Sequence, residues 1–86
     1  MRDEMIDRSI ESIGVILKEM ETLQFLAENC DEGILRTQYE LELSESIQAF
    51  SEYQKELKGK LADYFSWCRD NQIPVYINYY RVYREL

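Results

Sequence analysis

The sequence predicts an all-α protein, an antiparallel hairpin of two long helices followed by a short tyrosine-rich segment. Two stretches place apolar residues at alternating spacings of four and three, which is typical of amphipathic helices that pack along a seam. The two apolar stripes also pair in reverse order with a constant register. Only 3 Gly and 1 Pro interrupt the 86 residues, and 45% hydrophobic with 31% charged residues fits one folded helical domain over residues 1–86.

The first helix is expected from about residue 3 to residue 29. Its apolar stripe consists of Ile6, Ile10, Ile13, Leu17 and Met20. The stretch from Asn29 to Gly33 ends this pattern, with Gly33 suited to a left-handed position after the helix and Asp31 able to cap the second helix. A short turn between two helices is therefore expected here.

The second helix is expected from about residue 36 to residue 70. Thr37 and Glu40 together match a capping box near its start. Its stripe consists of Leu43, Ile47, Phe50, Gln54, Leu57, Leu61, Tyr64 and Cys68.

The register of the hairpin is given by the numbers of the paired residues. Leu17 with Phe50 and Ile10 with Leu57 each sum to 67, as do the other pairs of the two stripes. A constant sum describes antiparallel helices, and its midpoint falls at the turn that Gly33 and its neighbours predict independently. We therefore expect Leu17 to face Phe50.

The segment after Asn71 contains four of the seven tyrosines. Its β-branched and aromatic residues favour a strand, whereas Pro74 at a first helical position and the spacing of Ile73, Ile77, Tyr80 and Arg84 favour a short helix. A lone strand would lack a partner in this chain, so a third helix is the preferred expectation.

Two interaction surfaces are predicted. Apolar residues outside the seam predict a homodimer, whose face carries Ile16, Leu23, Leu26 and Tyr53. Tyr and Arg dominate interface hot spots, so the tail predicts a surface for an unidentified protein partner. Its residues are Tyr76, Tyr79, Tyr80, Arg81, Tyr83 and Arg84. The alternative is that this tail packs on its own hairpin and closes a small core.

The charge distribution is uneven. The net charge is −7, with 12 acids and 4 bases in residues 1–50 but 5 acids and 6 bases in residues 51–86. Phosphates and anionic lipids repel an acidic chain, so direct binding to nucleic acid or membrane is not expected. The sequence favours a non-catalytic protein–protein interaction module, a small regulator, inhibitor, immunity or adaptor protein that acts as a dimeric helical bundle. The alternative is an acidic face that mimics nucleic acid and occupies a basic groove. That face would comprise Asp3, Asp7, Glu11, Glu19, Glu21, Glu28, Asp31 and Glu32.

The chain lacks the usual residues of catalysis and metal binding. It contains no His, which is the commonest general base and zinc ligand, and no glycine-rich phosphate loop. Cys30 and Cys68 are too few and too far apart for a disulfide framework or a metal site, so both are expected to be reduced. We expect a protein that is not an enzyme and has no cofactor or metal.

One short segment resembles a known family. Leu41-Glu42-Leu43-Ser44-Glu45-Ser46-Ile47-Gln48 resembles the Leu-Ser-x-x-x-Asp signature of the small sporulation-type aspartyl-phosphate phosphatases, which are helical hairpins. The resemblance covers under a tenth of the chain. Gln48 stands where that family has its Asp and carries no carboxylate, so phosphatase activity is a remote alternative.

The sequence also bears on location. No apolar run approaches the roughly 20 residues that span a bilayer. The first residues, Met1-Arg2-Asp3-Glu4, are acidic and lack an apolar signal region. A cytoplasmic protein is therefore expected.

Overall fold

The computed structural model describes all 86 residues, and every regular element in it is a helix. Helix α1 runs over Glu4–Glu28, α2 over Gly33–Asp70 and α3 over Ile77–Glu85. The two long helices pack against each other as a hairpin, and α3 folds back on the end that is far from the turn. The molecule measures 58 × 19 × 16 Å. The predicted all-α hairpin with a third short helix is confirmed.

Capping residues set the ends of α1. The Asp3 carboxylate accepts hydrogen bonds from the backbone N–H groups of Met5 and Ile6 at 2.9 and 3.3 Å, which satisfies donors left open by the first turn. At the other end, the Asn29 side-chain amide donates to the carbonyl oxygen of Phe25 at 2.8 Å. Asn29 therefore ends the helix at the position that the sequence predicts.

The turn differs from the expectation in detail. Gly33 is the first residue of α2 and no glycine has a positive φ, so the predicted left-handed position is wrong. Asn29 already terminates α1, which leaves no such role for a glycine. The second helix begins three residues before residue 36, and Glu32, not Asp31, precedes it. The Thr37 hydroxyl donates to the Gly33 carbonyl inside the helix at 2.9 Å, so it does not form a capping box.

A Schellman motif closes α2. Gln72 has a φ of 55°, and it is the only residue of the chain with a left-handed backbone. The N–H of Gln72 donates to the carbonyl of Arg69 at 3.3 Å, and the N–H of Ile73 donates to that of Cys68 at 2.9 Å. Ile73 also packs against the cluster that contains Cys68, which is the apolar contact typical of this motif. Pro74 lies in the linker before α3, not at the first position of that helix.

The core lies at the end of the hairpin remote from the turn. Its buried residues come from all three helices, and they are Ile6, Leu57, Leu61, Tyr64, Cys68 and Tyr79. Lys60 Nζ lies 3.1 Å from Ser9 Oγ across the two long helices, within two residues of the predicted register. Both cysteines are free, as expected.

The seam near the turn runs along a different line from the predicted one. Leu17 is 42% exposed and Ile47 is 48% exposed, although the predicted seam places both between the helices. Near the core Asp7 and Ile10 are covered as well as Ile6 and Ser9, but toward the turn the covered positions of α1 follow spacings of three and four through Ile13, Ile16, Met20, Leu23 and Ala27. The predicted and the observed lines share Ile6, Ile13 and Met20. Toward the turn the predicted line runs through Leu17 and would next reach Gln24, whereas the observed line runs through Ile16 and Leu23 and so covers two apolar residues instead of one.

Candidate interaction surfaces

The four tyrosines of the C-terminal segment, Tyr76 and three in α3, divide between the core and the surface. Tyr79 is fully buried, so its predicted place in an exposed patch is wrong. Tyr76 and Tyr83 are half-buried and pack against the core, whereas Tyr80, Arg81 and Arg84 remain exposed. The reason is the helical period, because positions 76, 79, 83 and 86 face the hairpin while 77, 80, 81 and 84 face away. The alternative that the tail packs on its own hairpin therefore holds for Tyr76, Tyr79 and Tyr83. It does not hold for the other three residues of the predicted patch.

Hydrogen bonds fix Tyr79 to the start of α1. Its hydroxyl accepts from the backbone N–H of Asp3 at 2.7 Å and donates to Asp7 Oδ1 at 2.6 Å, and the Asp3 carbonyl lies 3.0 Å away. Asp7 also pairs with Arg2, at 3.2 Å. Charge-assisted bonds of this kind are the stronger class of protein hydrogen bonds.

A second tyrosine completes this network. The Tyr64 hydroxyl donates to the Met1 carbonyl and accepts from the N–H of Tyr76 at 3.1 Å. The Tyr64 and Tyr79 rings meet edge to face with centroids 5.2 Å apart. These contacts lie at the end of the hairpin remote from the turn, which we call its base. We therefore call the set Arg2, Asp3, Asp7, Tyr64 and Tyr79 the base network. Burial raises the pKa of both the Tyr64 and the Tyr79 hydroxyl, because a phenolate would lose its solvation there.

The base network has no signature in the sequence. Periodicity identifies Tyr64 only as a seam position, and composition identifies Asp3 and Asp7 only as acids of a solvated face. The bonds from Tyr64 to Met1 and from Tyr79 to Asp3 and Asp7 join residues 63 to 76 apart along the chain, so local spacing carries no signal for them. Chemically, these contacts tie the two chain ends to α2, with every buried side-chain polar atom bonded.

The outer side of α3 forms an exposed surface of mixed character. Tyr80 is 52% exposed, and Ile77, Arg81 and Arg84 are exposed beside it. Phe65, Val75, Ile77 and Tyr80 together line a shallow apolar notch. We call Ile77, Tyr80, Arg81 and Arg84 the α3 outer face.

The predicted dimer face is partly used within the single chain. Ile16 and Leu23 are half-buried, whereas Leu26 and Tyr53 are exposed. Dimer formation on this face stays a prediction.

The end around the turn is acidic. Residues 15–50, which we call the tip half, carry 8 acids and 2 bases, a net charge of −6. The remainder, the base half, carries 9 acids and 8 bases, a net charge of −1. Three acids of the predicted mimic face, Asp3, Asp7 and Glu11, lie in the base half, and Asp3 and Asp7 are bonded within the base network.

The segment with the phosphatase-like signature lies on α2. Ser44 and Gln48 are both exposed on this helix. No group of three or more acidic, Cys or His side chains lies close enough together to hold a metal ion.

No helix of the chain combines the length and the apolar character that crossing a bilayer requires.

Comparison with protein-family models, with curated proteins and with solved structures finds no match to this chain.

Proposed function

We propose that this chain is a non-catalytic protein–protein interaction module, a small regulator, inhibitor, immunity or adaptor protein, that acts as a homodimeric helical bundle. One observation carries the proposal, namely that the single chain exposes more surface than its mass requires. Only 7 of 86 residues are buried, although the sequence is 45% hydrophobic.

The area can be compared with that of a compact protein. The accessible surface is 6588 Å², whereas a globular monomer of 10.4 kDa exposes about 5,400 Å². The difference of about 1,200 Å² per chain corresponds to about 2,400 Å² in a dimer, which lies in the range of obligate homodimer interfaces. The exposed large side chains include Leu17, Ile47 and Tyr80, whose burial stabilises a protein by roughly 1.5–3 kcal/mol each.

The polar groups of the protein support a binding role over a catalytic one. The most connected polar cluster, the base network, joins backbone and side chains that are already paired with one another. A side chain whose hydrogen bonds are all satisfied internally is a part of the fold, since catalysis needs groups directed at a reactant.

Light scattering coupled to gel filtration tests the proposal. At micromolar concentration we expect a single species of twice 10.4 kDa that dissociates on dilution or persists as a tight dimer. A folded species of 10.4 kDa across the concentration range would refute the dimer, because the exposed apolar surface would then be tolerated in water.

The acidic tip half favours a second candidate, an acidic mimic of nucleic acid. Its net charge of −6 over 36 residues is the supporting observation. A mimic would displace duplex DNA from a basic DNA-binding protein, with an affinity that falls steeply as salt is raised. Equal binding at about 50 and about 300 mM salt, or no displacement, would exclude this candidate.

A further inference from the structure

On the side of the hairpin that carries α3, apolar side chains are covered at the base and exposed toward the turn, and we call the uncovered part of this side the open groove. Residues seven apart share one side of a packed helix, so every seventh residue of α2 shows how exposure changes along that side. Cys68 and Leu61 are buried, Gln54 is half-buried, and Ile47 is exposed. Burial along this line therefore ends between Gln54 and Ile47, on the turn side of the α3 contacts with Phe65 and Lys58.

Along α1 the side chains also change from covered to exposed, at the same distance along the hairpin. Ile10 packs against the core, whereas Leu17, seven residues further along, is exposed. The open groove then continues from Leu17 and Ile47 toward the turn. From Ile47 to Gly33 it extends about 21 Å, at 1.5 Å per residue.

The shape and chemistry of α3 match this open groove. The helix has nine residues and is about 14 Å long, so the open groove has room for one. Its own inner side is already used, but the α3 outer face presents Ile77 and Tyr80 with two arginines. The open groove offers Leu17 and Ile47, with Glu21 one turn beyond Leu17.

We propose that a second copy of this chain docks antiparallel on the open groove, so that α3 of each copy covers Leu17 and Ile47 of the other. This inference rests on the homodimer of the proposed function and assigns its face. The contact is reciprocal, because each chain supplies one α3 and one open groove, as a two-fold dimer requires. Tyr53 lies on a different side of α2, about 120° around the helix from Ile47 at 3.6 residues per turn.

Electrostatics select the antiparallel orientation. Parallel packing would place two tip halves, each with a net charge of −6, side by side. Antiparallel packing places each tip half beside a base half of net charge −1 and brings Arg81 and Arg84 toward the acidic end of the other copy. Raising salt is therefore expected to change the affinity of the antiparallel dimer only slightly, whereas it would strengthen a parallel one.

Two lysine substitutions compare the two possible faces. Ile47→Lys is expected to raise the dimer dissociation constant at least about tenfold, since it places a charge in the centre of an apolar contact. Tyr53→Lys changes a side chain of similar exposure on a different side of α2 and is expected to leave that constant within about twofold. Circular dichroism checks that both variants stay helical. The opposite ranking of the two variants would overturn the proposed face.

Disulfide trapping tests the orientation without depending on stability. In a Cys30→Ser background, chains with Ile47→Cys are mixed with chains with Tyr80→Cys and mildly oxidised. We expect a covalent heterodimer, because Tyr80 of one chain lies over Ile47 of the other. Within one chain this bridge is excluded, since the Tyr80 ring meets the Phe65 ring edge to face, about 27 Å along α2 from residue 47, and a disulfide needs Cα atoms within about 7 Å.

The outcomes separate this inference from the proposed function. Efficient linkage of Ile47→Cys chains to each other indicates parallel packing and overturns the orientation. A dimer in light scattering with no linkage of either kind overturns the face but leaves the proposed function intact. A monomer in light scattering overturns both.

Discussion

Replacement of Tyr79 by Phe tests the role of the base network in holding α3 on the hairpin. The ring would keep its packing against Tyr64, and only the hydroxyl would be lost. That hydroxyl serves two groups at once, the N–H of Asp3 at 2.7 Å and the carboxylate of Asp7 at 2.6 Å.

The expected cost depends on the exposure of these two partners. Asp7 is 27% exposed at its side chain and keeps its ion pair with Arg2, so water replaces part of the lost bond. The Asp3 N–H is partly buried, and leaving such a donor unpaired costs about 1–3 kcal/mol. We expect Tyr79→Phe to lower the free energy of unfolding by about 2–3 kcal/mol.

Urea unfolding followed by circular dichroism measures this difference, at one fixed protein concentration because self-association shifts apparent stability. The control is Tyr83→Phe, which also alters a half-buried tyrosine of α3. We expect it to change the free energy by less than about 0.5 kcal/mol, since it removes a hydroxyl outside the network. Equal stabilities for wild type and Tyr79→Phe would refute the idea that these hydrogen bonds dock α3.

Three further predictions concern the same fold. Gln72→Gly should stabilise the protein by about 0.5–1 kcal/mol, because the left-handed backbone strains a side chain but not glycine; a thermal melt measures it. Leu61→Ala should cost about 2–5 kcal/mol in urea unfolding and Leu41→Ala less than about 1 kcal/mol, because only Leu61 is buried. The raised pKa values of Tyr64 and Tyr79 mean that unfolding releases protons, so their contribution is complete below pH about 10 and is lost as pH rises through the folded pKa values. Unfolding measured from about pH 8 to 11 should therefore show stability falling above pH about 10, and falling less in Tyr79→Phe.

The part of the fold that periodicity encodes was predictable from sequence. Helical spacing and turn residues identify both long helices, and the ambiguous tail is correctly preferred as a helix because a lone strand has no partner. Leu17 and Ile47 are misplaced by the sequence pattern for a definite reason. Alternating four-and-three spacing describes two adjacent lines on one helix, and only contact with the partner helix selects between them.

The candidate surfaces were less accessible to sequence reasoning. Tyrosine and arginine content marks α3 as an interaction element, but does not indicate which side of it points inward. Tyr79 and Tyr80 are neighbours of one type, and at 3.6 residues per turn they point to different sides of α3, so that one lies in the core and the other in solvent. The contacts that decide this come from Asp3 and Tyr64, which are remote in sequence.

The position of the base network has a consequence for the order of folding. Contacts near the turn join residues close in sequence, so they can form early and at little entropic cost, whereas the base network joins residues more than 60 apart and closes a large loop. Yet nearly all the buried residues lie at that end, and Ala27 is the exception. The end whose contacts form last during folding is therefore the end that opens least in the folded protein. Hydrogen exchange should be slowest in α2 around Leu61 and fastest on both sides of the turn, so the hairpin frays from the end where its folding begins.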